Sequence, residues 1–355
     1  MKIKLTLAAL ALIAAGCSNQ ELTEAVQDGQ DSNARVITLQ AAMPDITDET
    51  PATRATYESD GASVSGVVMK WTADDKLQLC FKHGGNYYHK IAEIDASSIS
   101  SDGKTAKFTL TVPAEIPASA AFDFYAVYQQ ERGGESDSGC FEAGTPNYQF
   151  EEREYMNVTL DKKGTNYWRD GIINPVLLYS RTNVTQAQLG TLKLDLAHTG
   201  WIMAVHLTNA SGAQMDLPRT ISIQYPTAST SSFIWNGYPF VDSVKMDVTT
   251  GTVTSSTLIW EHKASVRFDV NGSSHNPLYG EKLDNGATQV FYRWVVSTPQ
   301  IEQMKVEIGL ANNTWQDSTN RLPAKTVTKG KVYHVFLNWD GTDLKLTNRA
   351  GTPLP

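Results

Sequence analysis

The sequence predicts an all-β chain. Three observations carry that expectation. Short stretches alternate apolar and polar residues at period two along most of the chain, Asn-Gly pairs fall between several of them, and long amphipathic helical patterns are nearly absent. Period-two alternation gives each strand one buried and one wet face. Many short strands with regular turns indicate β-sandwiches.

The first seventeen residues stand apart from that pattern. Met1-Lys2-Ile3-Lys4 is a short positive start, Leu5 to Ala15 is an uncharged apolar run, and Ala14-Ala15-Gly16-Cys17 closes it. This order is that of a secretory signal peptide. An apolar run of about eleven residues is too short to span a bilayer, which needs roughly twenty. Cys17 directly after small residues resembles the lipobox of bacterial lipoproteins. That resemblance implies lipidation of Cys17, palmitate included, and attachment to the outer membrane. The competing reading is an ordinary secretory signal with Cys17 as a bystander. Residues 18–34 are polar and read as a flexible tether.

Arg35-Val36-Ile37-Thr38-Leu39-Gln40-Ala41-Ala42 reads as the first strand, and Asp45 to Thr56 returns to loop chemistry with Pro51 and Arg54. Leu77, Leu79 and Phe81 share one strand face, as do Phe108, Leu110 and Val112 after the turn-prone Asp102-Gly103. Leu192, Leu194 and Leu196 alternate with Lys193 and Asp195; Val306, Ile308 and Leu310 repeat the pattern, as do Tyr333, Val335, Leu337 and Trp339. Asn236-Gly237, Asn271-Gly272 and Asn285-Gly286 are hairpin-type turns. About 339 residues remain after the signal, which suits two domains of about 150. The polar stretch between Tyr179 and Gly190 separates residues 35–185 from residues 186–355. A polar insertion from Gln129 to Gly171 carries Tyr148, Phe150, Tyr155, Tyr167 and Trp168. It reads either as an elaborated loop with its aromatics packed beneath it or as a ligand-contacting, adhesive surface.

Composition excludes several function classes. Net charge is −8, or −10 without Lys2 and Lys4, and no basic run exists, which argues against nucleic-acid binding. Beyond Cys17 the cysteines are Cys80 and Cys140; an exported compartment permits a bridge between them, and two separate thiols is the alternative. No Cys/His cluster points to a metal, and no cofactor motif is present. His83 and His89 are separated by a Gly-Gly turn, while His198 and His206 lie in β patterns and read as structural. Asp74-Asp75 opens a strand after Trp71 and reads as turn chemistry rather than an acid/base pair. Without a GxSxG elbow or another catalytic constellation, the chain does not read as an enzyme.

Three segments resemble the fimbrillin-like family of Bacteroidetes, the subunits of type V pili. They are Trp71 to Leu79, Leu178-Tyr179-Ser180 with Leu192 to His198, and Lys329-Gly330-Lys331-Val332-Tyr333-His334-Val335. The lipobox and Thr53-Arg54-Ala55-Thr56 are similar to the family's as well. The resemblance implies two tandem transthyretin-like β-sandwich domains. It further implies an outer-membrane lipoprotein precursor, cleavage after an arginine by a trypsin-like protease, and association with other fimbrial subunits by strand exchange at the cell surface.

The residues fit that scheme on their own terms. Arg54 lies in a Pro/Thr-rich loop, and a cut there would release residues 35–54. Arg35 is the alternative cut, though it would leave the strand attached. An opened sandwich exposes unpaired backbone groups and an apolar slot for an added strand. Leu344-Lys345-Leu346-Thr347 is a possible donor tail, yet little follows Trp339 to form a full arm. A tip subunit, with a groove but no donor, is therefore considered beside a stalk subunit. Its ligand would be a host or bacterial surface. The alternative function is a monomeric outer-membrane lipoprotein that binds glycans through exposed Trp and Tyr.

Overall fold

The computed structural model describes residues 35–48, 69–129, 139–151, 176–224, 243–257, 265–270, 278–295, 300–301 and 304–355. Among them the chain is nearly all β, with one four-residue α-helix and one short 3-10 turn. No helix among the described residues is long and apolar enough to cross a membrane.

The first half contains β1 (Arg35–Ala42), β2 (Thr47–Asp48), β3 (Lys76–His83), β4 (Asn86–Asp95), β5 (Thr105–Val112), β6 (Phe122–Gln129), β7 (Cys140–Phe141), β8 (Asn147–Glu151) and β9 (Val176–Val184). Next come α1 (Gln186–Leu189), β10 (Lys193–Asp195) and β11 (Ala197–His198). Helix α1 starts on a capping box: Thr185 caps the N3 amide and the Gln188 side chain returns to the Thr185 amide.

The main sheet has the order β10-β1-β5-β4-β3-β6-β9-β11. Its two end strands are consecutive in sequence and separated only by Leu196. One short segment therefore pairs with β1 on one side and β9 on the other, and the sheet closes on itself. The link covers the end of β1 and part of β9, while Arg35–Leu39 of β1 pair on the β5 side alone and Asn86–Ala92 of β4 on the β3 side alone. The Leu192–Leu196 alternation holds through this link, with Leu194 and Leu196 buried and Lys193 and Asp195 exposed.

Register places Ile37, Leu39 and Ala41 of β1 opposite Leu110, Phe108 and Ala106 of β5. Leu77, Leu79 and Phe81 of β3 lie opposite Tyr128, Ala126 and Phe124 of β6. All are buried. Trp71 meets Phe108 edge-on at 4.8 Å and Tyr128 at 5.0 Å, spanning strands that are not neighbours in the sheet. The turn before β3 is held by Asp75, whose carboxylate accepts from the Thr72 amide (2.7 Å) and the Tyr128 hydroxyl (3.1 Å). Burial raises the Asp75 pKa above the usual carboxylate range. The reading of Asp74-Asp75 as turn chemistry matches this geometry.

The second half contains β12 (Trp201–Asn209), β13 (Met215–Asp216), β14 (Thr220–Gln224), β15 (Ser243–Asp247), β16 (Thr252–Thr257), β17 (Ser265–Asp269), β18 (Lys282–Leu283) and β19 (Thr288–Val295). It ends with β20 (Gln300–Ile301), β21 (Lys305–Gly309), β22 (Trp315–Asp317), β23 (Lys325–Thr326), β24 (Lys331–Trp339) and β25 (Leu344–Thr347). Strand β12 runs parallel to β24 and antiparallel to β19. Its Trp201, Met203, Val205 and Leu207 enter a second core with Ile221, Ile223, Val306 and Ile308, while Ile202 and Ala204 join the first. Burial on both faces explains why β12 is a continuous apolar run rather than an alternating one.

The hairpin β15–β16 pairs with β8, and its Val244 and Met246 belong to the first core. Together with β7 these strands form a four-stranded sheet, order β16-β15-β8-β7. A buried polar network ties that sheet to the ring: Gln129 Oε1 accepts from the Gly139 amide and the Tyr148 hydroxyl, both at 3.0 Å. The Gln78 side-chain amide donates to the Gly139 carbonyl. Of the three Asn-Gly turns, Asn285-Gly286 is described, with Gly286 at φ +79°, and the other two lie outside the described residues.

Candidate functional site: the groove filled by β1

Strand β1 is a full member of the ring. All eight of its residues pair antiparallel with β5, and Gln40 to Ala42 pair parallel with Lys193 to Asp195 of β10. Exposure alternates along it: Ile37, Leu39 and Ala41 are 8%, 2% and 0% exposed, while Val36 is 62% exposed. Met43 and Ile46 continue the buried set beyond the strand.

Both ends are pinned. The Arg35 guanidinium donates to Gln186 Oε1 (2.7 Å) and to the Ile116 carbonyl. Past the strand, the Met43 amide donates to the Lys104 carbonyl at 2.9 Å. His198 Nε2 donates to the Asp45 carbonyl at 3.0 Å. Burial lowers the His198 pKa, so the neutral Nε2–H tautomer makes this bond. The Lys104–Asp45 ion pair (2.8 Å) contributes little, because the Asp45 side chain is 82% exposed. Finally β2 adds parallel to the start of β24, Thr47 opposite Lys331. Residues 35–48 thus cover first the ring and then the edge of the second sheet.

The same flank of β24 is covered further along by β25, which pairs Thr347 with Phe336 and Leu344 with Trp339. The chain then turns at Gly351 (φ +81°), and the Leu354 amide donates back to the Leu346 carbonyl at 2.9 Å. Asn320 clamps this fold-back: its side-chain amide donates to the Leu346 and Leu354 carbonyls, and its Oδ1 accepts from the Leu346 amide, all at 2.8 Å.

The residues singled out in the sequence fall as follows. Cys17, Arg54, Tyr155, Tyr167 and Trp168 lie outside the described residues. Arg35 opens β1 with its side chain engaged as above. Tyr148 and Phe150 are buried in the first core on β8, at 0% and 3% exposure, which removes them from the candidate adhesive surface. They alternate inward because β8 packs on the ring. Cys80 is a free thiol in the core, so the bridge to Cys140 is not made. Burial pushes the Cys80 thiol up to about 12, with the Asp247 charge adding to the shift. Native protein is therefore expected to leave Cys80 unlabelled by a thiol reagent at pH 8, with stoichiometric labelling in denaturant; labelling of Cys80 at equal rates in both states would contradict its burial.

His83 and His89 point to separate carbonyls, Ala121 and Thr145, and His89 stacks on Phe141 at 4.6 Å. No group of three or more metal-ligating side chains occurs among the described residues. Sequence reasoning missed Gln186, Ile116 and His198 as anchors of the N-terminal segment, since each lies 81 to 153 residues from its partner.

No family model matches the chain. No curated protein matches it. Solved structures do resemble it. A candidate cell adhesion protein from Bacteroides ovatus matches with TM-score 0.44 and 12% identity, over 88% of this chain and 95% of that one. A fimbrial assembly protein from Parabacteroides distasonis matches with TM-score 0.37 and 11% identity, over 88% and 94%. The tip fimbrial protein Mfa3 from Porphyromonas gingivalis matches with TM-score 0.33 and 8% identity, over 88% and 99%.

Proposed function

We propose that this chain is a subunit of a bacterial surface fimbria whose N-terminal strand is a releasable plug. Delivery is as an outer-membrane lipoprotein lipidated at Cys17, with residues 18–34 as tether. Hydrolysis of the Arg54–Ala55 bond by a trypsin-like protease frees residues 35–54, and a strand from a neighbouring subunit takes the place of β1. In this reading the two cores are two tandem transthyretin-like sandwich domains, and the expected boundary at residues 185–186 moves to beyond His198, because β10 and β11 complete the first ring.

The observation that carries the proposal is the fit of β1. It supplies backbone pairing to β5 along its whole length and three buried side chains to the ring, while its covalent link to the rest of the body runs only through residues 43–68. Its loss would bare the flank of β5 from Thr105 to Val112 together with the slots filled by Ile37, Leu39 and Ala41, and an edge with alternating slots binds an added strand. The engaged Arg35 side chain favours Arg54 as the cut. The Asn320 clamp on the C-terminal segment favours a terminal position that accepts a strand and gives none. Tyr155, Tyr167 and Trp168 remain the candidate contacts to a host or bacterial surface.

Mass spectrometry of the mature N-terminus on cells is the test. A start at Ala55 together with SDS-resistant oligomers is the expected result. A mature protein that keeps lipidated Cys17 and stays monomeric overturns the proposal. That outcome would favour a glycan-binding lipoprotein, for which Trp315 and Tyr279, 55% and 56% exposed, are the described aromatic platforms. Quenching of Trp fluorescence by an oligosaccharide, lost in Trp315→Ala, would then be expected.

A further inference from the structure

Resting on the strand-exchange reading, we infer that the groove under β1 selects its incoming strand by side-chain size, with a small residue required where Ala41 now sits. The partner it fits is a strand from a second protein that reads large aliphatic, large aliphatic, small, at alternate positions. Such a strand continues with a long apolar residue in the place of Met43.

The selection follows from what surrounds each slot. Ile37 and Leu39 lie opposite Leu110 and Phe108, and the strand's inner face there is wide enough for branched side chains. Ala41 lies opposite Ala106 on β5 and opposite Leu194 on β10. Ala41, Ala106 and Leu194 are 0%, 1% and 0% exposed. A methyl is thus flanked on both sides by fully buried neighbours in a close-packed interior, where added carbons force displacement.

Register reinforces size. A slip by one residue would turn Thr38 and Gln40 inward in place of Ile37 and Leu39, burying polar groups in the core. Pairing with β10 occurs at residues 40–42 alone, so the small position is also the one held from both flanks. At Ile37 and Leu39 the strand is paired on the β5 side only.

The test uses the full chain with a site-specific protease sequence placed at residues 52–57, cut after folding. Fluorescein-labelled peptides spanning residues 35–48 are added in excess, and uptake is read by anisotropy and native mass spectrometry. The native peptide and a Gln40→Leu peptide, altered only on the wet face, are expected to enter alike. An Ala41→Leu peptide is expected to bind about tenfold more weakly or worse, the equivalent of roughly 1.4 kcal/mol. Entry of the Ala41→Leu peptide as readily as the native one overturns size selection and leaves strand exchange standing. Failure of every peptide to enter while the cut chain keeps its own β1 overturns the strand-exchange reading, and size selection with it.

Discussion

Replacing Leu39 with aspartate is expected to destabilise the folded chain by about 5 kcal/mol or more, an amount comparable to the whole stability of many domains. Leu39 is 2% exposed at the centre of β1, opposite Phe108. Truncating a buried leucine alone typically costs about 2–5 kcal/mol, and the buried carboxylate adds an uncompensated desolvation penalty. The neighbouring Thr38 faces solvent, so Thr38→Asp is expected to stay within about 0.5 kcal/mol of the parent. Urea unfolding of both variants reads the difference directly. Equal losses would mean that β1 does not sit in the register described, and the groove would lose its basis. The contrast also separates a strand seated in the ring from one merely laid across it, because a surface strand would tolerate both changes.

Much of this site was legible from local pattern. The alternation from Val36 to Ala42 marks both the strand and its inward face, because a half-buried strand writes its burial at period two. The same holds for Leu77 to Phe81 on β3. Legibility ends where burial depends on distant chain. Strand β12 is buried on both faces, so its apolar run carries no alternation to say which residues meet which core. The hairpin β15–β16 pairs with β8, about a hundred residues upstream, and nothing local in Ser243 to Thr257 announces that partner. Tyr148 and Phe150 sat in a polar insertion and could be read as surface or core; only the packing of β8 on the ring decides for core. The anchors of Arg35 and Asp45 were hidden for the same reason, since long-range hydrogen bonds leave no periodic trace.

His206 and His334 extend that lesson to acid stability. They come together only because β12 and β24 run parallel, with His206 Nε2 and His334 Nδ1 hydrogen-bonded at 2.8 Å across 128 residues of sequence. Phe336 stacks on the His206 ring at 4.6 Å, Arg349 lies over Phe336, and Val290 of β19 pairs with His206. These described contacts of His206 are apolar, imidazole or cationic. Burial, then the neighbouring His334, then the Arg349 charge push His206 down to about 3. An unfolded histidine titrates near 6.5, so between about 6.5 and 3 the unfolded chain takes up a proton that the folded chain refuses. Stability from this site is whole above that window and falls as the pH drops through it, by about 3 kcal/mol at pH 4. Asp75 acts with the opposite sign, because its raised pKa makes the folded state the better proton binder as pH falls toward the ordinary carboxylate range. Comparing wild type with His206→Leu isolates the histidine, since Asp75 is common to both. Urea midpoints at pH 7 and pH 4 are expected to fall further in the wild type than in the variant; parallel losses would mean that His206 takes up its proton in the folded state near its ordinary pKa, and that the β12–β24 seam is open to water.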